Sequence, residues 1–233
     1  MRIAIMQPYF FPYIGYFQLI HAVDEFVFYD DVNFIKKGYI NRNTILVNGD
    51  SYQFTLPIKN ASQNRLINET EITLSKKWVN NFLKTLEHAY KNAPHFKSVY
   101  NLVKDILEDD SKTISQIAIN SVSKVCAYLG LKPNFSLSSQ DYSSSKALKK
   151  ADRIIAIAKE SGKYFYINPI GGQKLYTKTY FKDRGINLNF LQTEAIQYNQ
   201  FQHRFVDSLS IIDVLMFNSK DSILNLLNQR KII

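Results

Sequence analysis

The sequence predicts an α/β protein with a Rossmann-like sheet, a β-hairpin addition and a helical insertion. Three observations carry that prediction. The chain opens on an apolar run, a Pro- and Gly-containing loop and a helix-patterned stretch, the first half of a βαβ unit. Residues 75–130 carry helical periodicity only. From residue 131 onward strand and helix patterns alternate again. Residues 1–233 therefore read as a single domain, with an N-terminal α/β half and hairpin (1–74), a helical insertion (75–130) and a C-terminal α/β half (131–233).

Arg2 to Met6 reads as a buried strand. Gln7 to Pro12 must be a loop, because proline lacks an N–H and pushes its predecessor out of the helical region. Gly15 allows close approach of backbones, and Tyr16, Phe17, Leu19, Ile20 and Val23 follow at helical spacing. Ligands of such units sit at the C-terminal end of the strand, against the helix start. This is the expected active-site edge. Glu25 to Asp30 is the second strand, and 31–43 an irregular, aromatic and basic loop. Arg42 to Val47 and Ser51 to Pro57 flank Asn48-Gly49, a strong hairpin signal. Ile72 to Leu74 suggests a further short strand.

Ser75 caps a helix with Trp78, Phe82, Leu86 and Tyr90 on one face, closed by Pro94. Phe96 to Leu107 and Ile114 to Leu129 form the next two helices, the last stopped by Gly130. Then come a strand (Pro133 to Ser138), a Ser-rich loop (139–145), a helix (Ala147 to Ser161) and a strand (Tyr164 to Ile167). Leu175 to Asp183 is a helix and Ile186 to Leu191 a strand. Val206 to Phe217 and Asp221 to Gln229 are closing helices.

With 29 Lys and Arg against 20 Asp and Glu, the net charge of +9 suits an anionic ligand such as a nucleotide or sugar nucleotide. No run of five like charges occurs, which disfavours nucleic acid as a partner. The single Cys126 excludes an internal disulfide and a cysteine-rich metal site, and no His/Cys/carboxylate spacing supports a metal. A reducing, cytoplasmic location fits. No apolar run approaches the roughly 20 residues of a membrane span, and no signal peptide precedes the first loop, so no membrane insertion is expected.

Four stretches carry candidate chemistry. In the first, Gln7, Tyr13, Gly15 and Tyr16 line the strand-end loop. Tyr13-Ile14-Gly15-Tyr16 has the layout of the H-x-G-H motif of nucleotidyltransferases and pantothenate-synthetase-like ligases, with tyrosines where the histidines would stand. In the second, Lys36, Lys37 and Arg42 can hold phosphate or carboxylate, and Asn41 and Asn43 hydroxyls or an amide. The third is Asn168 with Gly171, Gly172 and Lys174, where backbone N–H groups at a helix start can face an anion. The fourth is His203, a candidate general base, with Asp213 to orient it. The bland alternatives are packing tyrosines, a solvated basic loop, a tight turn and a structural histidine.

MQPYFFPYIGYFQLI, DDVNFIKKGYINRNTI, NPIGGQKLY and FVDSLSIIDVLMFNS together resemble the WbqC-like family, over nearly the whole chain. That resemblance implies bacterial surface-polysaccharide biosynthesis, often among O-antigen genes, and a suggested transfer of glycine to an amino sugar. The implied partners are a nucleotide-linked amino sugar and an amino acid or activated aminoacyl donor. The cofactor stays open, with ATP and Mg2+ as candidates. Within that expectation His203, Lys36 and Asp213 are the catalytic candidates and the remaining residues bind substrate. The rivals are a nucleotidyltransferase acting on a sugar phosphate and a non-catalytic sugar-nucleotide-binding subunit.

Overall fold

A computed structural model describes residues 1–201 and 204–233. The main sheet contains β1 (Arg2–Met6), β2 (Glu25–Phe28), β5 (Phe135–Leu137), β6 (Phe165–Pro169), β7 (Asn187–Thr193) and β8 (Arg230–Ile232). A separate hairpin contains β3 (Arg42–Val47) and β4 (Asp50–Thr55). The helices are α1 (Ile14–Ala22), α2 (Lys76–Tyr90), α3 (Phe96–Leu107), α4 (Ile114–Tyr128), α5 (Lys150–Glu160), α6 (Lys178–Lys182), α7 (Ile211–Phe217) and α8 (Lys220–Asn228).

The sheet order is β5-β2-β1-β6-β7-β8. The first five strands are parallel; β8 runs antiparallel to β7. In chain order the parallel strands therefore lie third, second, first, fourth, fifth, which is the doubly wound, Rossmann-like order. The order reverses between β1 and β6. Connections leave these two strands in opposite directions, so a crevice opens beyond their C-terminal ends.

Because both sheet faces are covered, the strands are apolar on both sides. Ala4 and Ile167 join the core that contains α1, α2, α3, α4, α7 and α8. Ile3, Ile5, Tyr166 and Leu188 pack against Ile154, Ile157 and Phe181 of α5 and α6 on the other face. At the hairpin, Asn48 and Gly49 take φ of 52° and 86°, the two left-handed residues that a tight turn between twisted strands requires. Ser75 accepts a bond from the Trp78 N–H, and Thr113 and Gln116 close a capping box at α4.

Several expected boundaries move. The stretch 175–183 yields only the short α6, preceded by a 3₁₀ turn over Ile170–Lys174. The helix expected from Val206 begins at Ile211, because Ser208 takes φ of 56° and Ser210 caps the helix through the Ile212 N–H. Ile72 makes only an isolated bridge to Ile58. The strand β8 was not expected. Its three residues pair with the free edge of β7, a contact that no local pattern announces.

Candidate functional site

The loop after β1 is held in a strained conformation by groups from distant segments. Phe11 has φ of 44°, unusual for an aromatic residue and worth about 1–3 kcal/mol of strain. Its N–H donates to Ser121 Oγ of α4 at 3.1 Å. Its carbonyl accepts from Asn43 Nδ2 of β3 at 2.7 Å and from Ser210 Oγ at 2.8 Å. On either side, the Phe10 N–H donates to the Ile40 carbonyl and the Ile211 N–H to the Pro12 carbonyl. Lys37 and Ser208, in the two segments that face this loop, also have positive φ. Strain sustained by so many partners marks a backbone built for position.

Two adjoining clefts flank Tyr13. One, of about 270 Å³, is lined by Tyr9, Pro12, Tyr13, Tyr39, Asn43 and Ser208. The other, of about 330 Å³, lies beyond the end of β7 and is walled by Tyr13, Thr193, Glu194, Tyr198, Asp207 and Ser208, among others. The Tyr13 ring lies on Gly15. A Cβ there would come within 2.3 Å of Tyr13 Cε2 and 2.9 Å of Thr193 Oγ1. The glycine is thus required for this ring position, not for a special φ. Burial, then the neighbouring phenols, pushes the Tyr9 and Tyr13 hydroxyls above their ordinary pKa, so both are neutral at pH 7. A larger cleft, about 690 Å³, lies on the helical block between Glu71, Val79, Leu107 and Asp109. It shares no residue with the strand ends.

The structure brings three of the four predicted stretches together: the first loop, residues 31–43 and residues 198–213 meet through Phe11, Tyr39, Asn43, Ser208 and Ser210. Within them the roles differ. Tyr16, at the second histidine position, is buried and donates to the Gln7 carbonyl at 2.9 Å, holding the loop from below. Asn41 closes the hairpin base on the Leu56 carbonyl at 2.9 Å. Arg42 Nε donates to the Gly38 carbonyl at 3.1 Å. Lys36 and Lys37 are exposed on the same loop as Tyr39. The remaining stretch, the third, sits on the neighbouring strand end: Asn168 is buried against Gly172, where a Cβ would come within 2.2 Å of its Nδ2, while Gly171 and Lys174 are exposed. His203 lies outside the described residues. Asp213 is fully buried and accepts from Tyr90 Oη at 2.8 Å, Tyr198 Oη at 2.6 Å and Gln200 Nε2 at 2.8 Å. Burial pushes its carboxyl above the usual range; the three donors offset part of that. Through Tyr198 this carboxylate anchors a wall of the second cleft. Among the described residues no group of three or more His, Cys, Asp and Glu is placed to hold a metal.

A family model described as the WbqC-like protein family matches residues 7–225, from the first residue of the strained loop to the last helix. The chain belongs to the WbqC-like protein family. Membership points to a role in polysaccharide biosynthesis. The chain is also similar to Uncharacterized protein Rv1507c of Mycobacterium tuberculosis, 27% identical over 220 residues, which cover 93% of each chain. No solved structure matches it. No helix of the described residues is long and apolar enough to cross a membrane.

The span matched to the WbqC-like family also contains residues that sequence reasoning passed over. Tyr9, Tyr39 and Ser208 line the first cleft. Aromatic density in 7–16 and 31–43 was the available signal for the tyrosines. Next to the site, Asp31 and Arg153 form a buried ion pair at 2.6 Å. Ser138 Oγ donates to Asp31 Oδ1 at 2.5 Å, and Ser139 N–H and Oγ donate to Asp30 at 3.0 and 2.7 Å. This network locks the ends of β2 and β5 to α5. The partners lie more than 100 positions apart (Asp31 to Arg153 is 122), so no local pattern could join them.

Proposed function

We propose that this protein is a transferase or ligase that attaches an amino acid, glycine in the leading case, to an amino-sugar nucleotide for surface polysaccharide such as O-antigen. The observation that carries the reading is the pair of clefts that share Tyr13 and Ser208 at the C-terminal edge of the sheet. Two adjoining cavities at one sheet edge suit a reaction that joins two substrates. The family membership supplies the pathway.

In this reading the glycyl group arrives activated, as a mixed anhydride or on a carrier. The sugar amine attacks the acyl carbon. A C–N bond forms, the bond from acyl carbon to leaving group breaks, and the amine proton passes to His203. The exposed Lys36 and Lys37 meet the phosphates of the nucleotide, with Arg42, Lys174 and the Gly171–Gly172 backbone as further anion contacts. Asp213 acts through Tyr198, which it fixes in the cleft wall. Purified protein, incubated with ATP, glycine or an activated glycyl donor and a panel of nucleotide-linked amino sugars, should add one glycyl unit by mass spectrometry, and His203→Ala should slow that addition. Absence of that gain with every donor and acceptor would sink the proposal. Tight binding of the same sugar nucleotides without turnover would instead favour a non-catalytic binding subunit.

A further inference from the structure

The cleft between Tyr9, Tyr13 and Tyr39 has a lining of one chemical kind. Its walls are three phenol rings and Pro12, and its polar groups are hydroxyls and one amide. No charged side chain lines it. The Asn43 amide is already engaged, by the Phe11 carbonyl and the Thr44 N–H. The hydroxyls of Tyr9, Tyr13, Tyr39 and Ser208 have no hydrogen-bond partner among the described residues. The residues lining this aromatic-walled space thus carry four hydroxyls, each able to donate and accept, with their capacity open.

We infer that this cleft holds the pyranose ring of the sugar substrate, and neither its phosphates nor its base. The inference rests on the reading above that a nucleotide sugar is the substrate. A phosphate calls for cations, and no Lys, Arg or His is among the lining residues. A base between two aromatic rings needs near-parallel walls about 7 Å apart, twice a van der Waals stacking distance. The Tyr9 and Tyr39 rings are 6.3 Å apart and tilted by 47°, which leaves no slot. A pyranose has an apolar C–H face that rests on one aromatic ring and equatorial hydroxyls that meet neutral donors and acceptors around the rim. The volume of about 270 Å³ is below that of pockets for drug-sized ligands, roughly 300–1,000 Å³, and suits one ring rather than a whole nucleotide sugar. The strained Phe11 and Ser208 fix the two backbones that set this geometry.

Tyr39 is exposed, so its replacement leaves the core intact. The test is saturation-transfer NMR and titration with UDP- and dTDP-linked pyranoses, UDP-N-acetylglucosamine among them, against UDP alone. Saturation should reach the pyranose ring protons. Tyr39→Ala should weaken binding of the sugar nucleotide on the order of tenfold and leave UDP affinity unchanged. Tyr9→Phe, which removes one hydroxyl only, should weaken the sugar nucleotide by less. Equal loss of UDP and sugar-nucleotide binding in Tyr39→Ala would put the base or phosphates in the cleft and overturn the inference. So would the absence of ring saturation with every pyranose. Ring contact that Tyr39→Ala removes, in a protein that never transfers glycine, refutes the transfer reaction and leaves this inference standing. Glycyl transfer that is indifferent to Tyr39→Ala refutes the inference alone.

Discussion

Asn43→Ala should damage the fold and the first cleft together. Asn43 is 3% exposed. Its amide nitrogen donates to the Phe11 carbonyl at 2.7 Å and its amide oxygen accepts from the Thr44 N–H at 2.9 Å. Each bond contributes about 1 kcal/mol net, and a partner left unpaired at a buried position adds about 1–3 kcal/mol. The Phe11 carbonyl keeps the Ser210 hydroxyl at 2.8 Å, so only the Thr44 N–H is orphaned. The expected loss is about 3–5 kcal/mol, which lowers Tm by roughly 6–20 °C for a domain of this size. Far-UV circular dichroism against temperature measures it, and the tyrosine signal in the near-UV reports the loop. Asn43→Asp keeps the acceptor and sets a carboxylate against the Phe11 carbonyl; it should be at least as destabilising. The double variant with Ser210→Ala leaves that carbonyl without either side-chain donor, and its loss should exceed the sum of the singles by about 0.5–3 kcal/mol. Asn43→Ala unfolding within about 0.5 kcal/mol of wild type would refute the anchoring role. A neutral Asn43→Asp beside a damaging Asn43→Ala would move the effect from Phe11 to Thr44.

Gly15→Ala places a Cβ 2.3 Å from the Tyr13 ring at an ordinary helical backbone, so stability should stay within about 1 kcal/mol while sugar-nucleotide affinity falls on the order of tenfold; unchanged affinity would show that Tyr13 is free to move aside. Burial pushes the Glu25 carboxyl up, but bonds from Lys163, Ser136 and Tyr142 outweigh it and hold the carboxyl below its ordinary value. That stability is present above the ordinary glutamate pKa and is lost as pH falls through the lowered one. Glu25→Gln should therefore cost about 3 kcal/mol at pH 7, and urea melts over a pH series should show the gap closing in acid; a gap independent of pH would refute the assignment. Arg153→Leu leaves Asp31 buried and unpaired and should cost about 3–5 kcal/mol in urea, with Asp31→Leu/Arg153→Leu regaining most of it; a double variant as poor as the single would show that packing, not charge, is lost.

The strong local signals survived contact with the structure. Asn48-Gly49 turns the hairpin, Ser75 starts its helix, and the alternation of patterns from residue 131 builds the second half of the sheet. Each is a property of a few consecutive residues, so the sequence displays it directly. The misreadings share an opposite cause. Val206 and Leu209 stand at helical spacing, but Ser208 is turned out of the helical region where its segment meets the first loop. The strand β8 exists because β7 has an edge to pair with.

The same division runs through the site. From the sequence alone came the family, the basic charge, the loop after the first strand as the focus, and Tyr13, Gly15 and Asn43 as residues of interest. The tertiary structure decided what each residue touches. It turned Tyr16 inward onto the Gln7 carbonyl, buried Asp213 among three donors, and set Tyr39 and Ser208 beside Tyr9. Spacing along a chain fixes which face of a helix or strand a residue shares. Which distant segment closes over it depends on the order of strands and the path of loops, and Phe11, held from positions 43, 121 and 210, is where those paths meet.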